Sequence, residues 1–254
     1  MALVETEFSR GVLTVTLADE ERRNALSSEL TRELVAILDA ADDDPAVRVV
    51  ILTNRGGTFC AGANLTERSS SPGRTPATGI NPLALFGRFR NSPKPYVGRI
   101  AGHCVAGGMG LAAGLDITIA QSSAKFGFTE VRIGVAPAMI SVVCLPKMRL
   151  ADAQAAFLRG NRFSADEAVR MGLITYAVAD DQLDEAVDAV VDDLLLGGPQ
   201  ALTAAKQLIA TVPTMDSDAA FTWTADLSGR LFASDEAREG MTAFLEKRRP
   251  PWAP

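Results

Sequence analysis

Residues 12–17, VLTVTL, alternate apolar and polar side chains with the period of two that turns one face of a strand toward a core and the other toward water. Gly11 in front of them supplies a turn from an earlier strand over 4–8, so the chain opens with a predicted hairpin. The period then lengthens. Leu30, Leu34, Ile37, Leu38 and Ala41 recur at helical spacing behind a cap at Ser27 or Ser28, and Asp43-Asp44-Pro45 stops the helix. VRVVILT at 47–53 is nearly unbroken in branched apolar residues, which predicts a strand covered on both faces and closed by Gly56-Gly57. Strand, helix, strand in that order reads as a parallel βαβ unit.

Pro93-Lys94-Pro95 leads into a strand over 96–100, ITIA forms another at 117–120, and the glycines from Gly102 to Gly110 precede an Ala/Leu helix start. From about Ala136 the pattern is mainly helical, with helices predicted over 151–158, 165–171, 183–196, 199–209, 218–232 and 235–247. Pro213 is the candidate hinge before a terminal helical pair, and the tail RRPPWAP is expected to end the last helix at Arg249 and run on extended. TERSSSPGRTPATGI at 66–80 has too few apolar groups to pack and is expected to be a long mobile loop, either a lid or a solvated segment without a role. No period of 20–50 residues recurs, which excludes a solenoid.

Length and composition narrow this picture. A chain of 254 residues that is 47% hydrophobic and 22% charged can bury a full-sized core in one large domain, or one domain with an appendage. A net charge of −6 argues against a nucleic-acid or anionic-membrane surface, while leaving room for a local pocket for phosphate. The three cysteines, Cys60, Cys104 and Cys144, make no CxxC pair and His103 is the only histidine, so no metal site is expected. Glu5 and Glu7 stand where a signal peptide needs an apolar core, and no apolar run approaches ~18 residues. A cytoplasmic protein is expected. With one histidine to serve as base, hydrolase triads are disfavoured and acid–base work falls to carboxylates.

IAGHCVAGGMGLAAGLD at 100–116 places glycines where a strand gives way to a helix, so that backbone N–H groups can point outward unobstructed. FCAGANL at 59–65 is a second small-residue turn after a buried strand. Two inward-pointing amides from two such turns could share one carbonyl oxygen and polarise a thioester; either turn taken alone could equally serve tight packing.

These clusters, with RRNAL at 22–26, PKPYVGRIAGHCVAGGMGLAAGLDITIA at 93–120, FGFTEVRIGVAP at 126–137 and FLEKRRP at 244–250, resemble the enoyl-CoA hydratase/isomerase (crotonase) superfamily along nearly the whole chain. The resemblance implies an α/β fold, a spiral core of stacked ββα units over 1–195, and a helical C-terminal region over 196–254 that builds a homotrimer or a homohexamer. It implies an acyl-CoA substrate, as in fatty-acid and branched-chain catabolism, with no separate cofactor, since coenzyme A is part of the substrate. Position by position, the N–H groups of Ala63 and Gly107 match the family's oxyanion hole, and Arg23, Ala25, Ala61, Asn64 and Leu65 match its CoA-binding positions, with Arg23 as the phosphate contact or simply a surface arginine. The family has Asp where this chain has Asn64. Lys247 is either a reach toward a neighbouring subunit's CoA or a solvated helix-end lysine.

The carboxylates separate the possible reactions. Family hydratases carry two glutamates; here GGMGL puts Gly110 at the first position while FGFTE keeps Glu130 at the second. Hydration needs water deprotonated at C3 and a proton delivered at C2, so a two-glutamate hydratase is disfavoured. Ala138 stands where dienoyl isomerases carry aspartate. TEVRIGVAPAMISVV at 129–143 resembles bacterial hydratases of methylglutaconyl-CoA and isohexenylglutaconyl-CoA, whose substrates bring an extra carboxylate; Ser141 is either an orienting group there or a helix-packing serine. The leading expectation is therefore a lyase that hydrates 3-methylglutaconyl-CoA or a similar branched glutaconyl thioester. The alternatives are a Δ3,Δ2-enoyl-CoA isomerase using Glu130 alone and a non-catalytic acyl-CoA-binding protein. Gly108-Met109-Gly110-Leu111-Ala112-Ala113 also spells a dinucleotide fingerprint, but Asp116 falls too soon for the ribose-binding acid. His103 is read as a partly buried structural residue, and Cys60 and Cys104 as small residues filling turns.

Overall fold

The computed structural model describes residues 2–69 and 83–254. β1 (Val4–Ser9) and β2 (Val12–Leu17) form the expected antiparallel hairpin, reversed at Arg10 and Gly11, both with positive φ. α1 (Ser28–Asp43) follows, capped by Ser27, whose hydroxyl accepts from the N–H of Leu30, and it buries Leu30, Leu34 and Leu38 along one face. β3 (Val49–Asn54) is buried along its whole length.

From here the chain winds. β3 and β4 (Thr58–Cys60) are followed by α2 (Leu65–Ser69) and α3 (Arg88–Asn91); β5 (Tyr96–Ile100) and β6 (His103–Val105) by α4 (Gly107–Gly114); β7 (Ile117–Gln121) and β8 (Lys125–Gly127) by a 3₁₀ turn at Glu130–Ile133 and α5 (Ala138–Cys144). The chain continues through α6 (Leu150–Arg159), β9 (Phe163–Ser164), α7 (Ala165–Arg170), β10 (Tyr176–Val178) and α8 (Leu183–Leu196). The first strand of each winding joins a six-stranded sheet in the order β1-β2-β3-β5-β7-β10, and the second joins a four-stranded sheet in the order β4-β6-β8-β9. β3, β5, β7 and β10 run parallel, as do β4, β6 and β8. This is the spiral of ββα units expected from the sequence.

Two apolar layers hold it. Phe59, Cys60, Cys104, Met109, Phe126 and Phe128 are buried within the larger one, which also takes the inner face of α1. On the other face of the six-stranded sheet, Val49, Ile51, Val97 and Ile119 pack against Leu183, Val187, Val191 and Leu195 of α8, spaced by four so that they line one side of the helix.

α9 (Pro199–Thr211) docks through Lys206, whose ammonium donates to the carbonyls of Phe89 and Lys94 and to Asp116 Oδ2 at 2.6–2.8 Å. Beyond the 3₁₀ turn around Pro213, α10 (Ser217–Phe232) and α11 (Asp235–Leu245) leave Phe221, Phe232 and Phe244 exposed.

Several expectations are corrected. The segment from Thr66 to Ser69 is helical, within α2, because Asn64 caps it; the remainder of the expected loop, 70–80, lies outside the described residues. The part expected to be mainly helical also contributes the short strands β9 and β10. The last helix stops at Leu245, and the tail folds back: Trp252 Nε1 donates to the carbonyl of Leu196 while its own carbonyl accepts from Arg48.

Candidate active site

β4, β6 and β8 are adjacent parallel strands, and their carboxyl ends open at one edge, the edge at which parallel sheets bind ligands. The chain leaves β4 through Ala61-Gly62-Ala63, β6 through Ala106-Gly107, and β8 through Phe128 and Thr129 into Glu130. Each winding of the spiral thus delivers one candidate group to the same edge.

The first two turns touch. Gly62 has φ +87°, and a Cβ built on it would stand 2.6 Å from Ala106 Cβ and 2.9 Å from the nitrogen of Gly107, so only glycine fits. Ala106 itself has φ 50° and ψ −124°, a conformation an L-residue holds only under constraint. The constraint is visible: its N–H donates to the carbonyl of Gly127 and its carbonyl accepts from the N–H of Met109. The donors around Ala63 are engaged, Ala61 to the carbonyl of Arg23, Gly62 to Cys60 Sγ and Asn64 to the carbonyl of Leu26. The N–H groups of Ala63 and Gly107 have no acceptor among the described residues. Two free amides on touching turns, one of them opening a helix, can donate to a developing oxyanion.

RRNAL is laced against these turns. Leu26 bridges Ala63 in parallel, with its N–H donating to the carbonyl of Gly62 at 2.7 Å. Arg23 and Asn24 both have positive φ, and buried Asn24 holds this bend by donating to the carbonyls of Arg55 and Thr58. The structure therefore brings Arg23, Ala25, Ala61, Ala63, Asn64, Leu65 and Gly107 together. Arg23 and Leu65 are exposed at the rim, where a charged nucleotide could reach them, and Ala25 is buried. Asn64 Oδ1 accepts from the N–H groups of Thr66 and Glu67 and so caps α2, a job that asparagine does as well as aspartate. Lys247 stands apart, exposed in the turn after α11, with no side-chain bond to this group among the described residues.

Glu130 opens the 3₁₀ turn after β8. Its backbone is fixed by Val135, whose N–H donates to the Glu130 carbonyl, and the turn is pinned by Arg132, which donates to the carbonyls of Gly160 and Arg159. Its Oε2 is buried and has no hydrogen-bond partner among the described residues. Desolvation raises its pKa above the ordinary carboxylate value. A carboxyl group held this way keeps its proton to higher pH than a solvated glutamate and is placed to take up and return one.

Position 110, where the resemblance puts a second acid, is closed. A Cβ on Gly110 would fall within 3.0 Å of Ile140 on α5 and 2.9 Å from Phe86 Cδ1. Sequence reasoning missed both side chains: Ile140 lies inside the 129–143 stretch, where nothing marks it as facing Gly110, and Phe86 lies in no motif. It also missed the strained Ala106, since an alanine gives no sign of a positive φ.

The discarded candidates have structural work. Asp116 accepts from the N–H of Tyr96 as well as from Lys206, so it is not available to a ribose. His103 Nδ1 accepts from the N–H of Lys125. Ser141 donates to the carbonyl of Ala138 within its own helix. Burial pushes the Cys60 and Cys144 thiols up to about 12 and raises Cys104 well above the ordinary thiol value, so none is a ready nucleophile. Among the described residues no helix is long and apolar enough to cross a membrane.

The sequence profile described as enoyl-CoA hydratase/isomerase matches residues 7–254. Enoyl-CoA hydratase EchA19 of Mycobacterium tuberculosis is 35% identical, across 98% of this chain and 95% of that protein. The 1,2-epoxyphenylacetyl-CoA isomerase of Escherichia coli is 32% identical, across 98% of each. The crystal structure of an enoyl-CoA hydratase from Mycobacterium smegmatis superposes with a TM-score of 0.93 at 28% identity, covering 99% of both chains.

Proposed function

The chain belongs to the enoyl-CoA hydratase/isomerase family, and we propose that within it this enzyme hydrates a branched, carboxylate-bearing enoyl thioester of the 3-methylglutaconyl-CoA kind. In this reading the N–H groups of Ala63 and Gly107 hold the thioester oxygen. Glu130 draws a proton from water as the water oxygen bonds to C3; the π electrons move onto the thioester oxygen as an enolate. The same carboxyl group then returns the proton to C2, restoring the thioester. Arg23, Ala25, Ala61, Asn64 and Leu65 carry the CoA moiety.

The observation that carries this reading is the pairing of one buried, unpartnered carboxyl oxygen at Glu130 with a closed position 110. The protein offers one acid where unassisted hydration uses two, and a substrate carboxylate can orient the water in place of the second. A Δ3,Δ2-isomerase is the second reading, favoured by the same desolvated Glu130, since one carboxyl group suffices to move a proton from C2 to C4. We read the exposed phenylalanines of α10 and α11 as surface covered in a homotrimer, alone or paired into a hexamer.

The test is turnover of crotonyl-CoA, 3-methylglutaconyl-CoA and a 3-enoyl-CoA by purified protein, each beside Glu130→Gln. Preferential hydration of the glutaconyl thioester, lost in the variant, is the expected result. Double-bond migration without hydration selects the isomerase, and fast hydration of crotonyl-CoA without a glutaconyl preference overturns the substrate assignment.

A further inference from the structure

Helices α4 and α5 meet where Gly110 faces Ile140. Ile140 is 3% exposed and Phe86 6%, and between them they occupy the volume that any side chain at position 110 would need. Gly110 lies inside a helix, where glycine is less stable than alanine, so its presence asks for a reason, and the close approach of Ile140 supplies one. Protein interiors are packed too tightly for both an acid at 110 and a branched residue at 140. The missing second acid is thus a repacked wall and not a vacancy.

We propose that Ile140 is a specificity-determining positioning residue: by holding position 110 at glycine it keeps the site to a single protein carboxyl group and so commits it to substrates that bring their own. This rests on the hydratase reading above. Replacing Gly110 alone cannot restore a second acid, because Ile140 would still fill its place; shortening Ile140 removes the nearest contact and leaves room for the Phe86 ring edge, at 2.9 Å, to give way.

The experiment is a cycle of Gly110→Glu, Ile140→Gly and the double variant, assayed with crotonyl-CoA and 3-methylglutaconyl-CoA. Gly110→Glu alone is expected to gain no crotonyl-CoA hydration. The double variant is expected to raise its kcat/KM on crotonyl-CoA by about 10²-fold over Ile140→Gly, within the range a positioned general acid supplies. The ratio of crotonyl to glutaconyl kcat/KM should rise with it, whereas a purely structural effect lowers both together. A second cycle avoids any variant too disrupted to fold: Gly110→Ala should lower Tm by roughly 2–10 °C in the wild-type background and by less than half as much beside Ile140→Ala. An equal gain from Gly110→Glu alone, an unchanged substrate ratio in a folded double variant, or equal Tm losses in both backgrounds would overturn the proposal. Failure of the hydratase reading is separately visible, as wild-type protein that hydrates neither thioester, and the melting cycle still decides whether Ile140 holds position 110 at glycine.

Discussion

The face of the six-stranded sheet under α8 and the carboxyl edge of the four-stranded sheet are both made from short parallel strands, but they treat their polar groups in opposite ways. Under α8 the packed core is aliphatic, Val49, Ile51, Val97 and Ile119 against Leu183, Val187, Val191 and Leu195, and at its margin Arg99 of β5 is matched by Asp184 of α8 at 2.6 Å. At the edge, Ala63 and Gly107 keep unused N–H groups among the described residues, Glu130 keeps an unpartnered buried oxygen, and Ala106 is held at φ 50°. An unsatisfied buried polar group costs about 1–3 kcal/mol and a strained backbone residue a similar amount. Such an edge persists because the surroundings over-determine it: Asn24 ties the Arg23 bend, Arg132 pins the Glu130 turn, and Gly127 takes the N–H of Ala106. One region stores stability and the other draws on it for chemistry.

The sharpest way to separate the two is Glu130→Gln. Turnover should fall by about 10²–10⁴-fold, the contribution of a positioned acid–base, with no loss of Tm. Burial holds the folded Glu130 pKa above its unfolded value, so the stability its proton contributes is complete below the unfolded value and is lost as pH rises through the folded one. At neutral pH the wild type therefore carries a penalty that glutamine lacks. The variant should melt above wild type at pH 7, with the gap closing as pH falls toward ~4.3. Its counterpart in the rate is an acid limb of wild-type kcat/KM with an apparent pKa above the ordinary glutamate value; a limb at or below ~4.3 would contradict the desolvated site.

Leu195→Ala should do the converse. Removing a buried leucine from beneath α8 is expected to cost about 2–5 kcal/mol of unfolding free energy, read by denaturant titration, while kcat of the remaining folded protein stays within twofold. A large fall in kcat would show that the two regions are not separate.

Gly62→Ala blurs the comparison on purpose, because it puts a methyl group into Ala106 and the Gly107 nitrogen at a backbone angle alanine resists. We expect kcat to fall about 10²-fold through displaced amides, with a stability loss of about 1–3 kcal/mol. Activity should suffer more than in Leu195→Ala and stability less.

The same contrast explains what could be read before the structure. α1, α8 and the strands of the larger sheet other than the three-residue β10 are long enough for a pattern to show, and Leu183–Leu196 coincides with the expected span. β4, β6 and β8 are three residues each, too short for alternation to be seen, and Cys104 and Phe126 are buried in the way any turn residue could be. The groups at the edge were legible through the resemblance, since Ala63, Gly107 and Glu130 sit in motifs. Their contact partners were not: Ile140 is thirty residues beyond Gly110, and nothing local to either residue signals that one fills the other's space. The tail failed for a related reason. RRPPWAP reads as extended, but Trp252 finds a carbonyl on α8 more than fifty residues away.

The smallest expected effects are at Asn64, which lies at the edge yet does ordinary structural work. Its Oδ1 caps α2 through the N–H groups of Thr66 and Glu67, and an aspartate oxygen would accept the same bonds. A negative charge also gains from the helix N-terminus. Against this, Asn64 Nδ2 stands 3.5 Å from Glu67 Oε1, and a carboxylate there would meet a like charge. Glu67 cannot easily swing away, since its Oε2 receives both the N–H and the hydroxyl of Ser28 at the start of α1. The opposing terms are each a few tenths of a kcal/mol at an exposed site, so Asn64→Asp should shift stability by less than about 0.5 kcal/mol and leave KM for the acyl-CoA nearly unchanged. Asn64→Ala removes the cap and should cost about 0.5–2 kcal/mol, with KM rising because α2 begins beside the turn that presents Ala63. If Asn64→Asp instead changed kcat strongly, Asn64 would belong with Glu130 among the chemical groups of the edge and not with the residues that hold them in place.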